Sequence, residues 1–287
     1  MTWVLLAILT AFFESLRDVF NKKNLRKFDE YIVTWILASF TALFLVPLVL
    51  LTGMPELNPE FWVALFVSGS LNTIAFFLFI RAIKSADLSL VAPMTAFTPF
   101  FLLMTSPLIV GEFPKPISLV GVLLVVLGSY IVNLDRQWQG YLAPFRALLN
   151  ETGPRLALIV AFLWSITSTV DKIGVLNSAP LFWVMSVYGF IAIALLPITL
   201  YKWRYSFRQL AQQAYSLIAI GLFNSIAVAL QMITLKLTLV IYAIAIKRNS
   251  VVFSVLFGYF FFREGKIVNR IIGAIVMVLG AIAIAIS

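Results

Sequence analysis

The chain has 287 residues, 62% of them hydrophobic and 11% charged, with a formal charge of +9. Soluble domains run at roughly 45–50% apolar and about 25% charged, so a bilayer is the solvent that fits this composition. Cys and His are both absent. That excludes disulfides, thiol nucleophiles, His–metal centres and Ser–His–Asp hydrolysis. The positive charge does not point to nucleic acid, because the basic residues lie mostly between apolar segments, where they orient a membrane protein.

A spanning helix needs roughly 20 mostly apolar residues. Ten segments meet this, at about 2–20, 31–52, 61–80, 88–110, 117–134, 156–176, 180–201, 214–235, 238–262 and 267–286. The fold class expected is an all-α integral membrane protein of about ten transmembrane helices. The first segment begins without a basic stretch, shows no Ala-x-Ala-like cleavage site and is interrupted by Glu14, Arg17 and Asp18. It is therefore read as a helix of the mature protein rather than a signal peptide. Short breaks carry turn chemistry, as in Thr52-Gly53-Met54-Pro55, Gly111-Glu112-Phe113-Pro114 and Asn177-Ser178-Ala179-Pro180. The longest break, 135–155, holds Trp138, Tyr141 and Phe145 among polar residues and is expected to lie along the interface as a linker.

The loops after segments one, three, five, seven and nine hold about fifteen Lys and Arg, against two or three on the other side. By the positive-inside rule these odd-numbered loops face the cytoplasm and both termini lie outside. The expected location is a plasma membrane, crossed many times.

The two halves of the chain resemble each other. A shift of 150 takes Ala11 to Ala161, Ser15 to Ser165, Lys22 to Lys172, Phe40 to Phe190 and Pro47 to Pro197. From the third segment the shift becomes 152 and takes Gly69 to Gly221, Asn72 to Asn224, Glu112 to Glu264, Gly121 to Gly273 and Gly128 to Gly280. The units are 1–134 and 156–287, joined by the linker. Five segments per half is an odd number, so the second half must be inverted in the membrane. Inverted repeats are a recurrent plan of secondary transporters, with the solute held near the midplane.

Charges inside a membrane helix each cost about 2.5–3.5 kcal/mol at mid-depth, so they normally face a cavity or a partner. Glu14, Arg17, Asp18 and Asn21 share one face of the first segment. They read either as a solute contact with proton coupling through Glu14 or as a self-satisfied cluster that fixes packing. Lys247-Arg248-Asn249-Ser250 sits near the middle of the ninth segment. Two adjacent cations at that depth need anions, from a solute or from Glu14 or Asp18; Arg offers a planar fork and Lys a point charge for phosphate or carboxylate. Ser165, Ser168, Thr169 and Lys172 share a face of the sixth segment, with Asp171 beside them; Asp171 and Lys172 read as a gate or as a solvated helix end. Asn72, Asn224 and Gln231 are mid-helix amides that bind a solute or tie helices together. The paired glycines of segments five and ten are read as close-packing stripes. Pro47, Pro93, Pro99, Pro107 and Pro197 are expected to kink helices around a cavity.

Five plus five helices, with Gly111-Glu112 and Arg263-Glu264 closing segments four and nine and a Gly-rich helix after each, resemble the EamA-type drug/metabolite transporter superfamily. The Lys247-Arg248 pair is similar to the pair that holds phosphate in its sugar-phosphate translocator branch. Glu14 is similar to the first-helix Glu of small multidrug exporters. Many members have cytoplasmic termini, the reverse of the charge count here.

The expected function is secondary active transport of a small polar metabolite, namely an organic anion, a phosphorylated compound or an amino acid, by alternating access. The substrate-binding candidates are Glu14, Arg17, Asp18, Asn72, Asn224, Gln231, Lys247 and Arg248. A proton-coupled exporter of lipophilic cations or drugs is the alternative, and a non-transporting membrane scaffold a further one. No catalytic constellation, P-loop, cofactor or metal site is expected, so the chain reads as no enzyme. The partners expected are the solute and membrane lipid, with proton coupling open, no nucleic acid, and a monomer or homodimer.

Overall fold

In a computed structural model of the chain, residues 2–86, 88–133, 150–205, 207–262 and 268–286 are described. Their regular elements are all α-helices. In chain order they are α1 (Thr2–Leu25), α2 (Glu30–Thr52), α3 (Pro59–Ser85), α4 (Leu88–Thr95), α5 (Thr98–Val110), α6 (Pro116–Asn133), α7 (Thr152–Leu176), α8 (Pro180–Lys202), α9 (Phe207–Gln212), α10 (Ala214–Leu237), α11 (Val240–Lys247), α12 (Ser250–Phe262) and α13 (Val268–Ala285). Among the described residues, seven helical stretches are long and apolar enough to cross a membrane. Helix α1 has spanning length but carries Glu14, Arg17 and Asp18, and the apolar parts of α6 and α13 are shorter. The expected interfacial linker falls largely on residues 134–149, outside the described residues; its last residues belong to α7, which begins at Thr152.

The fourth and ninth segments depart from the expectation of continuous spans. Each is two half-helices, α4 with α5 and α11 with α12, separated by a turn. The turns fall at Ala96-Phe97 and Arg248-Asn249, positions that correspond under the shift of 152. Different chemistry makes the two breaks. In the first half Pro99 supplies no N–H and disfavours helix at the residue before it. It therefore starts α5 rather than kinking the middle of a helix, as Pro47, Pro93, Pro107 and Pro197 are placed to do. In the second half both the backbone N–H and the Nδ2 of Asn249 donate to the Ile246 carbonyl, at 2.9 Å each, so Asn249 competes with the helix for its own acceptors. An eight-residue half-helix rises about 12 Å and its thirteen-residue continuation about 20 Å, so both breaks fall well inside a hydrocarbon core of roughly 30 Å.

Packing follows a two-fold pattern that exchanges the halves. Helix α1 pairs with α10 as α7 pairs with α3, while α2 pairs with its own counterpart α8 and α6 with its counterpart α13. The α6–α13 contact shows the inversion directly. A Cβ built on Gly121 would lie 2.7 Å from the Gly280 carbonyl, and one on Gly128 would lie 2.6 Å from the Gly273 carbonyl. These two contacts are exchanged by the repeat and run in opposite chain directions, so equivalent helices are antiparallel. The glycine stripes let the backbones approach this closely. Gly128→Val should force them apart and lower stability by about 1–3 kcal/mol, as overpacking does. Thermal unfolding in detergent checks this, with Gly189→Ala as a control, because nothing lies within 4 Å of a Cβ there.

Candidate functional site

The charged stripe of α1 meets the second broken segment. Arg17 is bonded on three sides: its Nη2 reaches Glu14 Oε1 at 3.1 Å and Asp18 Oδ1 at 2.7 Å, and its Nη1 donates to Asn224 Oδ1 of α10 at 3.1 Å. Asn224 in turn donates to Thr41 Oγ1 of α2 at 2.9 Å. Lys247, at the end of α11, lies 3.3 Å from Glu14 Oε1 and donates to Gln231 Oε1 of α10 at 2.8 Å. One network thus gathers Glu14, Arg17, Asp18, Asn224, Gln231 and Lys247. Glu14 is shared by two cations, and both amides of α10 hold a cation rather than another amide.

Arg248 stands beside this network without joining it. Its Nη2 donates to Thr98 Oγ1 at 2.7 Å, and its buried Nε has no hydrogen-bond partner. Among the described residues no carboxylate lies within ion-pairing distance of it. Thr98 opens α5, so the guanidinium of one broken segment touches the helix start of the other, where the positive end of a helix dipole also lies. The neighbouring Asn249 is buried and its Oδ1 is likewise unpartnered. Of the local charges, Arg17, Lys247 and Arg248 face Glu14 and Asp18, leaving one cation in excess.

Asn72, expected at the same site, is elsewhere. Its Nδ2 donates to Ser68 Oγ at 3.1 Å, and Ser68 donates to Asp171 Oδ1 at 2.6 Å, on the α3–α7 contact. Asn72 and Asn224 therefore occupy equivalent positions with different partners. On the sixth segment, the Ser165 and Thr169 hydroxyls donate to carbonyls of their own helix. Asp171 and Lys172 are not a solvated helix end: Asp171 is 7% exposed, and Lys172 pairs with Glu112 in the turn after α5. Lys172 also donates to the Thr238 carbonyl at 2.8 Å, and Glu112 Oε2 accepts from the Val240 N–H at 2.8 Å and from Ser106 at 3.1 Å. This clasp ties the ends of α5, α7, α10 and α11 on the side of the even-numbered loops. Its repeat counterpart, Glu264, lies outside the described residues.

The two sides of the network differ in access. Side-chain exposure is 13% at Glu14, 20% at Arg17 and 46% at Asp18, rising along α1 toward its odd-loop end. On the even-loop side every residue of α11 before Lys247 is buried, and Glu112 and Lys172 are 10% and 13% exposed. An ionised Asp18 cannot face lipid, so its exposure marks an aqueous opening toward the odd-numbered loops.

Thr41, Thr98, Glu112 and Ser106 were absent from the sequence-based candidates. Glu112 carried a usable signal, since acidic and basic residues recur at both Glu112/Glu264 and Lys22/Lys172 across the repeat.

The model of the EamA-like transporter family matches residues 1–134 and 152–286. The chain belongs to the EamA-like transporter family. This member is an integral, multi-pass membrane transporter whose two matched repeats cover nearly all of its length. A crystal structure of a protein is similar over 99% of this chain and 95% of that one, with a TM-score of 0.76 at 16% identity, a likeness that shows the fold. No curated protein sequence matches the chain.

Proposed function

We propose that this EamA-like transporter is a secondary active carrier of a small solute bearing a carboxylate or phosphate, and that Arg248 receives that group at the meeting point of the broken segments. The observation that carries the reading is the partly buried Arg248 guanidinium, its Nε buried and unpartnered, bonded to Thr98 but to no carboxylate among the described residues, next to a network whose other cations are already paired. A buried cation is strongly unfavourable unless paired, and a guanidinium fork suits an oxyanion. Discontinuous helices at corresponding positions of two inverted halves are where secondary transporters place their solutes, with half-helix N-termini toward anionic groups. The exposed Asp18 carboxylate is available to an ammonium on the same solute, which keeps amino acids within the class.

The two sealed and open ends support alternating access. The Glu112–Lys172 clasp closes the even-loop side, while the opening beside Asp18 leads to the odd-loop side, which the charge bias assigns to the cytoplasm. In the other state the clasp would part as the halves rock. The competing reading, export of lipophilic cations through Glu14, is disfavoured because Glu14 is held by both Arg17 and Lys247. The test is thermal stability of the purified protein against phosphorylated sugars, carboxylates, amino acids and lipophilic cations. A ligand that binds only the folded state raises the melting temperature. Anions are expected to do so, and stabilisation by lipophilic cations alone would overturn the reading.

A further inference from the structure

Asp171 is the acidic side chain of the membrane interior that the solute site leaves unused. It is 7% exposed, on α7, six residues after Ser165 and beside the clasp residue Lys172. Its Oδ1 accepts from Ser68 Oγ at 2.6 Å and from Trp183 Nε1 at 3.2 Å, both neutral donors. The indole is locked in place, because it packs on Gly174, where any Cβ would strike its ring. No cation lies within ion-pairing distance of Asp171 among the described residues.

Helices α4 and α5 carry no ionisable residue, and Glu60, Arg81 and Lys84 of α3 and Tyr215 and Lys236 of α10 lie toward their helix ends. From α11, Lys247 acts on Asp171 at a distance, but it is bonded to Glu14 and Gln231. From α8, Tyr188 lies within electrostatic reach of Asp171 as well as of Glu14 and Arg17. On α7 itself Lys172 is committed to Glu112. Protonating Glu14 would break its ion pairs with Arg17 and Lys247, whereas protonating Asp171 removes a buried charge and breaks no ion pair.

We propose that Asp171, held by Ser68 and Trp183, is the proton-binding site of this transporter, and that a proton on its carboxylate accompanies the conformational cycle. The inference rests on the transport reading of the Arg248 site and adds the coupling ion. The neutral acid tolerates the buried α3–α7 contact. Release of the proton leaves a carboxylate that needs water, and water reaches it from the even-loop side once the neighbouring Glu112–Lys172 clasp parts. Solute contact and proton binding thus fall to different side chains, Arg248 and Asp171.

Infrared spectroscopy of the purified protein, titrated through neutral pH without any solute, tests this. A protonated-carboxyl C=O band should appear as pH falls, vanish in Asp171→Asn and survive in Glu14→Gln. Its persistence in Asp171→Asn, or its absence from the unmodified protein, would overturn the proposal, as would displacement of the band by sodium chloride, which would mark a sodium site. If Asp171→Asn does not fold, Ser68→Ala replaces it: loss of the hydroxyl donor must shift the band, and an unmoved band counts against Asp171. Asp171→Asn should keep the anion-induced rise in melting temperature, so failure of the proton site leaves the transport reading standing. Loss of that rise would instead make Asp171 part of the solute site and overturn its separate role.

Discussion

Arg248→Gln is expected to weaken binding of a carboxylate or phosphate ligand by at least about 30-fold, from a loss of roughly 2–5 kcal/mol when one partner of a buried charge pair is truncated. The same substitution should not unfold the protein. In the solute-free state Arg248 contributes a single hydrogen bond to Thr98 and carries an unpartnered Nε, so neutralising it removes a partly desolvated charge and leaves no anion orphaned. The measurement is the shift in melting temperature across a ligand titration. The unmodified protein should gain stability by mass action, while Arg248→Gln should start from an equal or higher melting temperature and gain little. Lys247→Met should behave differently. It leaves the buried Gln231 without its cation and Glu14 with Arg17 alone, so it should lower the melting temperature even with no ligand present.

Breaking the even-loop clasp should have the second large effect. Glu112→Gln leaves Lys172 buried against a carbonyl with no anion, which costs the closed arrangement about 3–5 kcal/mol. A change of that size moves a two-state equilibrium by about 100-fold or more, toward the state open on that side. Because the chain has no cysteine, a single engineered thiol can report this. Val240→Cys is suitable: the position is fully buried, and only its backbone N–H meets Glu112. A membrane-impermeant maleimide should label it slowly in the otherwise unmodified protein and much faster with Glu112→Gln. Equal labelling would mean that the clasp is a static tie. The paired change Glu112→Gln with Lys172→Met should destabilise less than Glu112→Gln alone, because no buried charge remains.

Much of this architecture is legible in the sequence because membrane constraints are severe. Spanning length, charged loops and the repeat register follow from hydropathy and spacing, and the inversion follows from an odd number of segments per half. The Gly121–Gly280 and Gly128–Gly273 contacts realise that inversion atom by atom. The Glu14–Arg17–Asp18 stripe and the Lys247-Arg248 pair stood out because charge is rare at that depth. The breaks were harder to read. Pro99 signals one of them, but Asn249 breaks its helix through its own side chain, a competition masked in the sequence by the charges of Lys247 and Arg248 beside it. Partner choice was harder still. Asn72 and Asn224 are equivalent in sequence, yet one meets Ser68 and the other Arg17 and Thr41, since the residues facing them differ between halves. Hydroxyls such as Thr98 and Ser68 resemble the many Ser and Thr that bond their own helix, and only the three-dimensional arrangement separates them.

The most direct test of the central claim is exchange across the membrane. Purified protein in liposomes, preloaded with the anion that best raises its melting temperature, should take up the labelled anion by counterflow. Arg248→Gln, reconstituted at the same density and melting temperature, should not. Equal counterflow by the two proteins would contradict an anion site at Arg248, as would exchange of lipophilic cations alone that Glu14→Gln abolishes.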